Sequence, residues 1–172
     1  MHQGDFPGPW RGGASESAHE ILLHDLDRHI RAPALKHLYR RWREALLNQP
    51  HLPTIGTFRF AEDGLADHSF VAAVEDDCFR FVSVGNALNA RYGQELAGTT
   101  IIDDAIEMFG SLKASYRACV EKEAPVYEYA RYALGEDKPL LFEQLILPFF
   151  DAGSRVTHLG GVVLFTDLGP TH

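Results

Sequence analysis

Residues 79–101 read FRFVSVGNALNARYGQELAGTTI. The first six residues, rich in Phe and Val, read as a strand that Gly85-Asn86 stops abruptly. ALNARY then has room for about two turns of helix, closed by Gly93. Asn86 is expected to cap that helix by accepting a backbone N–H bond. Gly93 and Gly98 suit left-handed turns that a side chain would penalise, and Leu96 between them is expected to anchor the excursion in the core.

Upstream, SFVAAVED and CFRFVSV flank Asp76-Asp77 and read as a hairpin with a short polar turn. Downstream, DDAIEMFGSLKASYRACVEKE has helical spacing. Asp103 and Asp104 favour its start, Gly110 divides a short helix from a longer one, and Pro125 blocks continuation. Three further strands follow in VYEYARYAL, LLFEQLILPFF and VTHLGGVVLFTDL, and their short connections imply antiparallel neighbours.

Toward the N-terminus, residues 1–17 are rich in Gly, Pro and Ser without periodicity and are expected to be a disordered tail. Ser17 with Glu20 reads as a capping box for a helix that ends near Pro33. Pro33 opens a second helix whose apolar positions, Leu35, Leu38, Tyr39, Trp42, Ala45 and Leu46, form one stripe. Such a stripe must be covered. The order predicts an α+β domain: a five-stranded antiparallel sheet with helices on one face, preceded by N-terminal helices. The expected divisions are a tail at 1–17, a helical extension at 18–52, the sheet domain at 53–168 and a tail at 169–172.

A length of 172 residues suits one domain with extensions. No basic segment followed by an apolar one opens the chain, and no apolar run approaches the roughly 18 residues of a membrane span. Cys78 and Cys119 lie far apart without a C-x-x-C, which fits a reducing compartment. A cytoplasmic protein with no membrane partner is expected. Net charge is −8, although residues 28–43 hold six Arg or Lys and no acid. An acidic chain is a poor general binder of nucleic acid. The basic run is either the wet face of an amphipathic helix or a docking surface for an acidic partner.

Catalytic and metal motifs are missing. HEILLH places His19 and His24 five residues apart, about 140° around a helix, so they cannot chelate one ion as H-E-x-x-H does. There is no G-x-G-x-x-G, P-loop or G-x-S-x-G, and Asp103, Asp104 and Glu107 read as helix-start residues. DHSFVAA lacks the glycine that a cyclic-dinucleotide motif requires. Neither an enzyme nor a metal site is expected.

The strand that meets Asn86, followed by Gly93, Leu96-Ala97-Gly98 and Thr99, resembles the heart of a PAS domain. The resemblance covers roughly residues 55–168 and is nearest to bacterial single-domain PAS proteins with a helical N-terminal extension. Further matching positions are Trp42, Leu52-Pro53, Tyr116, the step Glu123-Ala124-Pro125-Val126, and Leu147-Pro148 before a turn. That turn, Asp151-Ala152-Gly153, departs from the family's Asp-Gly by an inserted Ala152.

The resemblance implies a sensory and protein-interaction module that works by population shift and signals through protein contact, with an unknown signalling partner. Haem-binding relatives supply a His from the long helix, but residues 103–123 contain none and Met108 reads as core. The Asn-Cys-Arg-Phe run of flavin–thiol photoreceptors is absent. The cofactor is therefore unknown, and a non-covalent small ligand remains open. Tyr92, Phe109, Tyr116, Tyr127 and Tyr129 lie on elements that would surround an interior cavity, with Arg131 and His158 as polar handles. The other reading is a packed core with the handles in solvent. The stripe Leu35, Leu38, Tyr39, Trp42 and Leu46 would cover the sheet or pair with a second copy, giving a homodimer. The alternatives are a sensor holding haem or another prosthetic group by atypical ligation, and an enzyme on a related cavity fold.

Overall fold

The computed structural model describes residues 26–48, 52–76, 78–101, 110–133 and 139–167. The expected tails, the Ser17/Glu20 cap, His19, His24, Asp77, Asp103, Asp104, Glu107, Met108 and Phe109 lie outside these residues. The elements are α1 (Leu26–His29), α2 (Pro33–Asn48), β1 (Ser69–Val74), β2 (Phe79–Val84), α3 (Asn86–Tyr92), β3 (Thr100–Ile101), α4 (Gly110–Lys122), β4 (Val126–Ala133), β5 (Pro139–Phe150) and β6 (Val156–Asp167).

The strands form one sheet in the order β3-β2-β1-β6-β5-β4, antiparallel throughout. The sixth strand, beyond the five expected, is the two-residue β3. It arises because the chain after α3 folds back on β2: the Gly98 N–H donates to the Phe81 carbonyl at 2.7 Å, and the Phe81 N–H to the Thr99 carbonyl at 2.9 Å. A second strand running into a short helix, and a longer helix leading into the last three strands, is the PAS-like order. The chain has this fold.

Gly93 closes α3 with φ 70° and Gly98 has φ 85°, as their places in the sequence imply. Asn86 does not cap α3. It is the first helical residue, Gly85 is the cap residue, and no side chain caps the helix. The bracing comes from Asn89, whose Oδ1 accepts from the Leu96 N–H at 3.0 Å and whose Nδ2 donates to Glu95 Oε1 at 3.1 Å.

Both faces of the sheet are covered. On the inner face, α3 and α4 enclose Phe70, Ala72, Phe81, Leu96, Tyr116 and Phe142. On the outer face, α1 and α2 pack over Leu145, Leu147, Phe149 and Val162. The helices predicted on a single face are thus joined by the N-terminal pair on the other. Cross-strand partners share a face, so Gly160 and Gly161 of β6 face opposite ways. A Cβ on Gly160 would meet the Phe60 and Phe149 rings at 2.8 Å; one on Gly161 would meet Leu145 O at 2.4 Å and the Phe70 ring at 2.7 Å. Bare backbone here lets aromatic rings from both layers approach the middle of the sheet.

Candidate functional site

Two polar clusters sit back to back on β4 and β5. On the inner face Glu128 and Gln144 are directly opposed across the strand pair. Gln144 Nε2 donates to Glu128 Oε2 at 2.9 Å, and Ser115 Oγ of α4 donates to Glu128 Oε1. Gln144 is fully buried, and its Oε1 has no hydrogen-bond partner. Tyr116 lies in the same core and stacks on Phe70 with ring centroids 5.4 Å apart. A buried acceptor left unmet costs about 1–3 kcal/mol, so Gln144 Oε1 is the one conspicuous unsatisfied group of this core among the described residues.

Burial pushes the Glu128 carboxyl above the ordinary glutamate range, and the bonds from Ser115 and Gln144 only partly oppose it. The folded protein therefore keeps this proton at pH values where the unfolded chain has lost it. That contribution to stability is present at low pH and lost as pH rises from the ordinary range through the native value. Glu128→Gln removes the titration. The variant is expected to gain in melting temperature relative to wild type as pH rises from the ordinary glutamate range through the native value. A difference that is flat with pH in paired thermal melts would refute a proton-holding Glu128.

On the outer face Glu143 Oε1 accepts from the Ala32 N–H at 2.8 Å, the Arg31 N–H at 3.1 Å and the Tyr127 hydroxyl at 2.7 Å. The two amides lie just before Pro33, where a helix start leaves its N–H groups without intrahelical partners. Burial, and then the bond to Glu143, push the Tyr127 hydroxyl well above the usual tyrosine value. The Arg31 guanidinium lies 3.9 Å from the Tyr129 ring centroid. Farther along α2, Trp42 Nε1 donates to the Pro148 carbonyl at 2.9 Å. These contacts clasp the N-terminal helices to β4 and β5.

The residues expected to line one pocket are divided between the faces. Tyr92 and Tyr116 are on the inner face, where burial raises the Tyr92 hydroxyl to about 12. Tyr127 and Tyr129 are on the outer face, under the N-terminal helices. The physical reason is the two-residue period of β4: Val126, Glu128 and Ala130 take the inner positions and their alternates the outer ones. Arg131 is a β4 residue paired with Leu141. His158 pairs with Phe149 and is also on the outer face, so it does not join Tyr116. Burial lowers its imidazole below the usual histidine value.

The stripe expected either to cover the sheet or to form a dimer covers the sheet. Leu35, Leu38, Tyr39 and Trp42 are 0% exposed and Leu46 packs against the same cluster, so these side chains face no second copy in this state. Much of the basic run is also engaged. Arg40 grips Asp27 with bonds of 2.7 and 2.9 Å, holding that carboxyl below its ordinary value, and Arg41 reaches Glu62 at 3.1 Å. Ser115, Glu128, Glu143 and Gln144 are not among the site residues expected from the sequence. The available signal was Glu143-Gln144 interrupting the apolar run LLFEQLILPFF. Among the described residues no cluster of three or more His, Cys, Asp or Glu is placed to hold a metal ion. No helix among them is long and apolar enough to cross a membrane.

No protein-family model matches the chain, and no curated protein matches it. Solved structures do. A light-oxygen-voltage domain studied with a flavin analogue is 11% identical, with 62% of this chain and 82% of that one covered at a TM-score of 0.46. The PAS domain of Bordetella pertussis BvgS is 17% identical, with 59% and 76% covered at 0.41. The light-state dimer of the fungal blue-light photoreceptor Vivid is 10% identical, with 73% and 92% covered at 0.45. Likenesses this distant carry nothing about ligand, light or assembly to this chain.

Proposed function

We propose that this chain is a PAS-type sensory and interaction module in which a small molecule on the inner face alters the hold of β4 and β5 on the N-terminal helices. The carrying observation is adjacency. Glu128 and Gln144 of the inner cluster are chain neighbours of Tyr127 and Glu143 of the outer clasp, on two directly paired strands. A shift of either strand that re-pairs the inner groups must move the clasp as well. The clasp is the bistable element, and ligand binding biases it by its differential affinity for the two states. Opening it would release the Leu35, Leu38, Tyr39 and Trp42 face toward a signalling partner or a second copy, which gives the expected homodimer a place in the released state.

The test needs no ligand. Gln144→Leu removes the inner amide while keeping an apolar side chain. It is expected to lower hydrogen-exchange protection of the Arg31 and Ala32 amides at least tenfold and to leave the β1–β2 amides unchanged. Unchanged protection at Arg31 and Ala32, or equal loss across the whole sheet, would sink the coupling.

A further inference from the structure

We propose that the Glu128–Gln144 pair is the polar end of a binding site for an organic ammonium ion, a primary amine carried on an apolar body. The proposal rests on the ligand-responsive reading above and names the chemistry of what is sensed.

The inner cluster has a surplus of acceptors. Glu128 is met by two neutral donors, Ser115 and Gln144, and by no cation among the described residues. Once ionised, the Glu128 carboxylate offers about four lone-pair sites, of which two remain, and Gln144 Oε1 has no hydrogen-bond partner. These needs converge. Gln144 Nε2 is 2.9 Å from Glu128 Oε2, and Oε1 belongs to the same small amide. It is therefore no more than roughly 5 Å from that carboxylate oxygen, and one ammonium nitrogen with bonds of about 2.8 Å to each would span them. A neutral donor meets only the amide oxygen. An ammonium also supplies the positive charge that a buried carboxylate lacks. Phe142, Ile146 and Val163 beside the pair are apolar, so the body that accompanies the ammonium must be apolar as well.

The surroundings keep the charge arithmetic simple. Tyr116 of α4 lies near Glu128, and Cys119 of the same helix contacts the Ile146 carbonyl. Burial pushes both well above their ordinary values, and Lys113, also buried on α4, does not shift Glu128. Tyr92 of α3 is raised to about 12, and β5 contributes uncharged Gln144. Glu128, held protonated by burial above the ordinary glutamate range, is thus the group of this inner cluster whose charge responds to a bound cation.

Phenethylamine and its uncharged isostere phenethyl alcohol are the probes, titrated by calorimetry into the full chain. The amine is expected to bind at least tenfold more tightly than the alcohol near neutral pH. Its affinity should rise with pH, up to tenfold per unit, until Glu128 is ionised in the free protein. Glu128→Gln should cost the amine at least tenfold more than it costs the alcohol. If that variant does not fold, wild-type titrations in two buffers of different ionisation enthalpy decide the matter, because amine binding must release a proton from Glu128 and alcohol binding must not. Equal affinity for both probes, no amine binding, or no proton release in the pH range where Glu128 is neutral would overturn the proposal. The sensory reading is judged separately by exchange at Arg31 and Ala32, which involves no ligand.

Discussion

Trp42→Ala is expected to destabilise the protein by about 4 kcal/mol, the cost of emptying a fully buried aromatic site. Trp42 is 0% exposed among Leu38, Tyr39, Leu147 and Phe149, and its indole N–H satisfies the Pro148 carbonyl. Removing it leaves a cavity between α2 and the outer face and strips that carbonyl of its donor. Against a typical total of about 5–15 kcal/mol, the loss is a large fraction of the stability. Trp42→Phe keeps most of the ring and forfeits the hydrogen bond, so a loss of about 1–2 kcal/mol is expected. Urea unfolding followed by tryptophan-independent circular dichroism measures both. A single transition at lower urea for Trp42→Ala means that the N-terminal helices share one core with the sheet. A change below about 1 kcal/mol, or a separate early transition for α2 alone, would show the helices to be a loosely attached accessory.

The second large effect is at the junction that opens the decisive stretch. Gly85→Ala is expected to cost about 3 kcal/mol or more. Its φ of −67° is ordinary for any residue, so backbone freedom is not the reason. A Cβ at Gly85 would lie 2.2 Å from the Asp67 carbonyl oxygen and 2.5 Å from that of Ala66, and backbone cannot swing aside as a flexible side chain can. The Gly85 N–H also donates to the Ser69 carbonyl at 2.8 Å, so moving the glycine away breaks the end of the β1–β2 pairing. Gly93→Ala is the control: φ there is 70° with open space around, and only the left-handed backbone penalty of about 1–2 kcal/mol applies. If the two variants melt together, the close approach at Gly85 is not the constraint proposed here.

Local chemistry was enough to place most elements. Strand-like runs on either side of Asp76-Asp77 marked β1 and β2, the three later strands fell where their turns bounded them, and Pro33 began α2. Gly93 and Gly98 were legible because a left-handed residue is selected by its own backbone. The stripe from Leu35 to Leu46 also announced that something must cover it.

The tertiary structure decided what depended on distant partners. Gly85 is required by Asp67, eighteen positions away, and nothing in Gly-Asn reveals that neighbour. The capping role given to Asn86 passed to the bracing by Asn89, because cap position shifts by one residue with no change in local composition. Most consequential is the division of the tyrosines. The period of β4 dictates that Tyr127 and Tyr129 share a face, but which face meets α4 is set by the other layer. A strand covered on only one side advertises its inner face by polar alternates, whereas β5 reads LLFEQLILPFF because helices bury both of its faces. With that contrast erased, only the assembled layers separate Glu128 and Gln144 on one side from Glu143 and Tyr127 on the other.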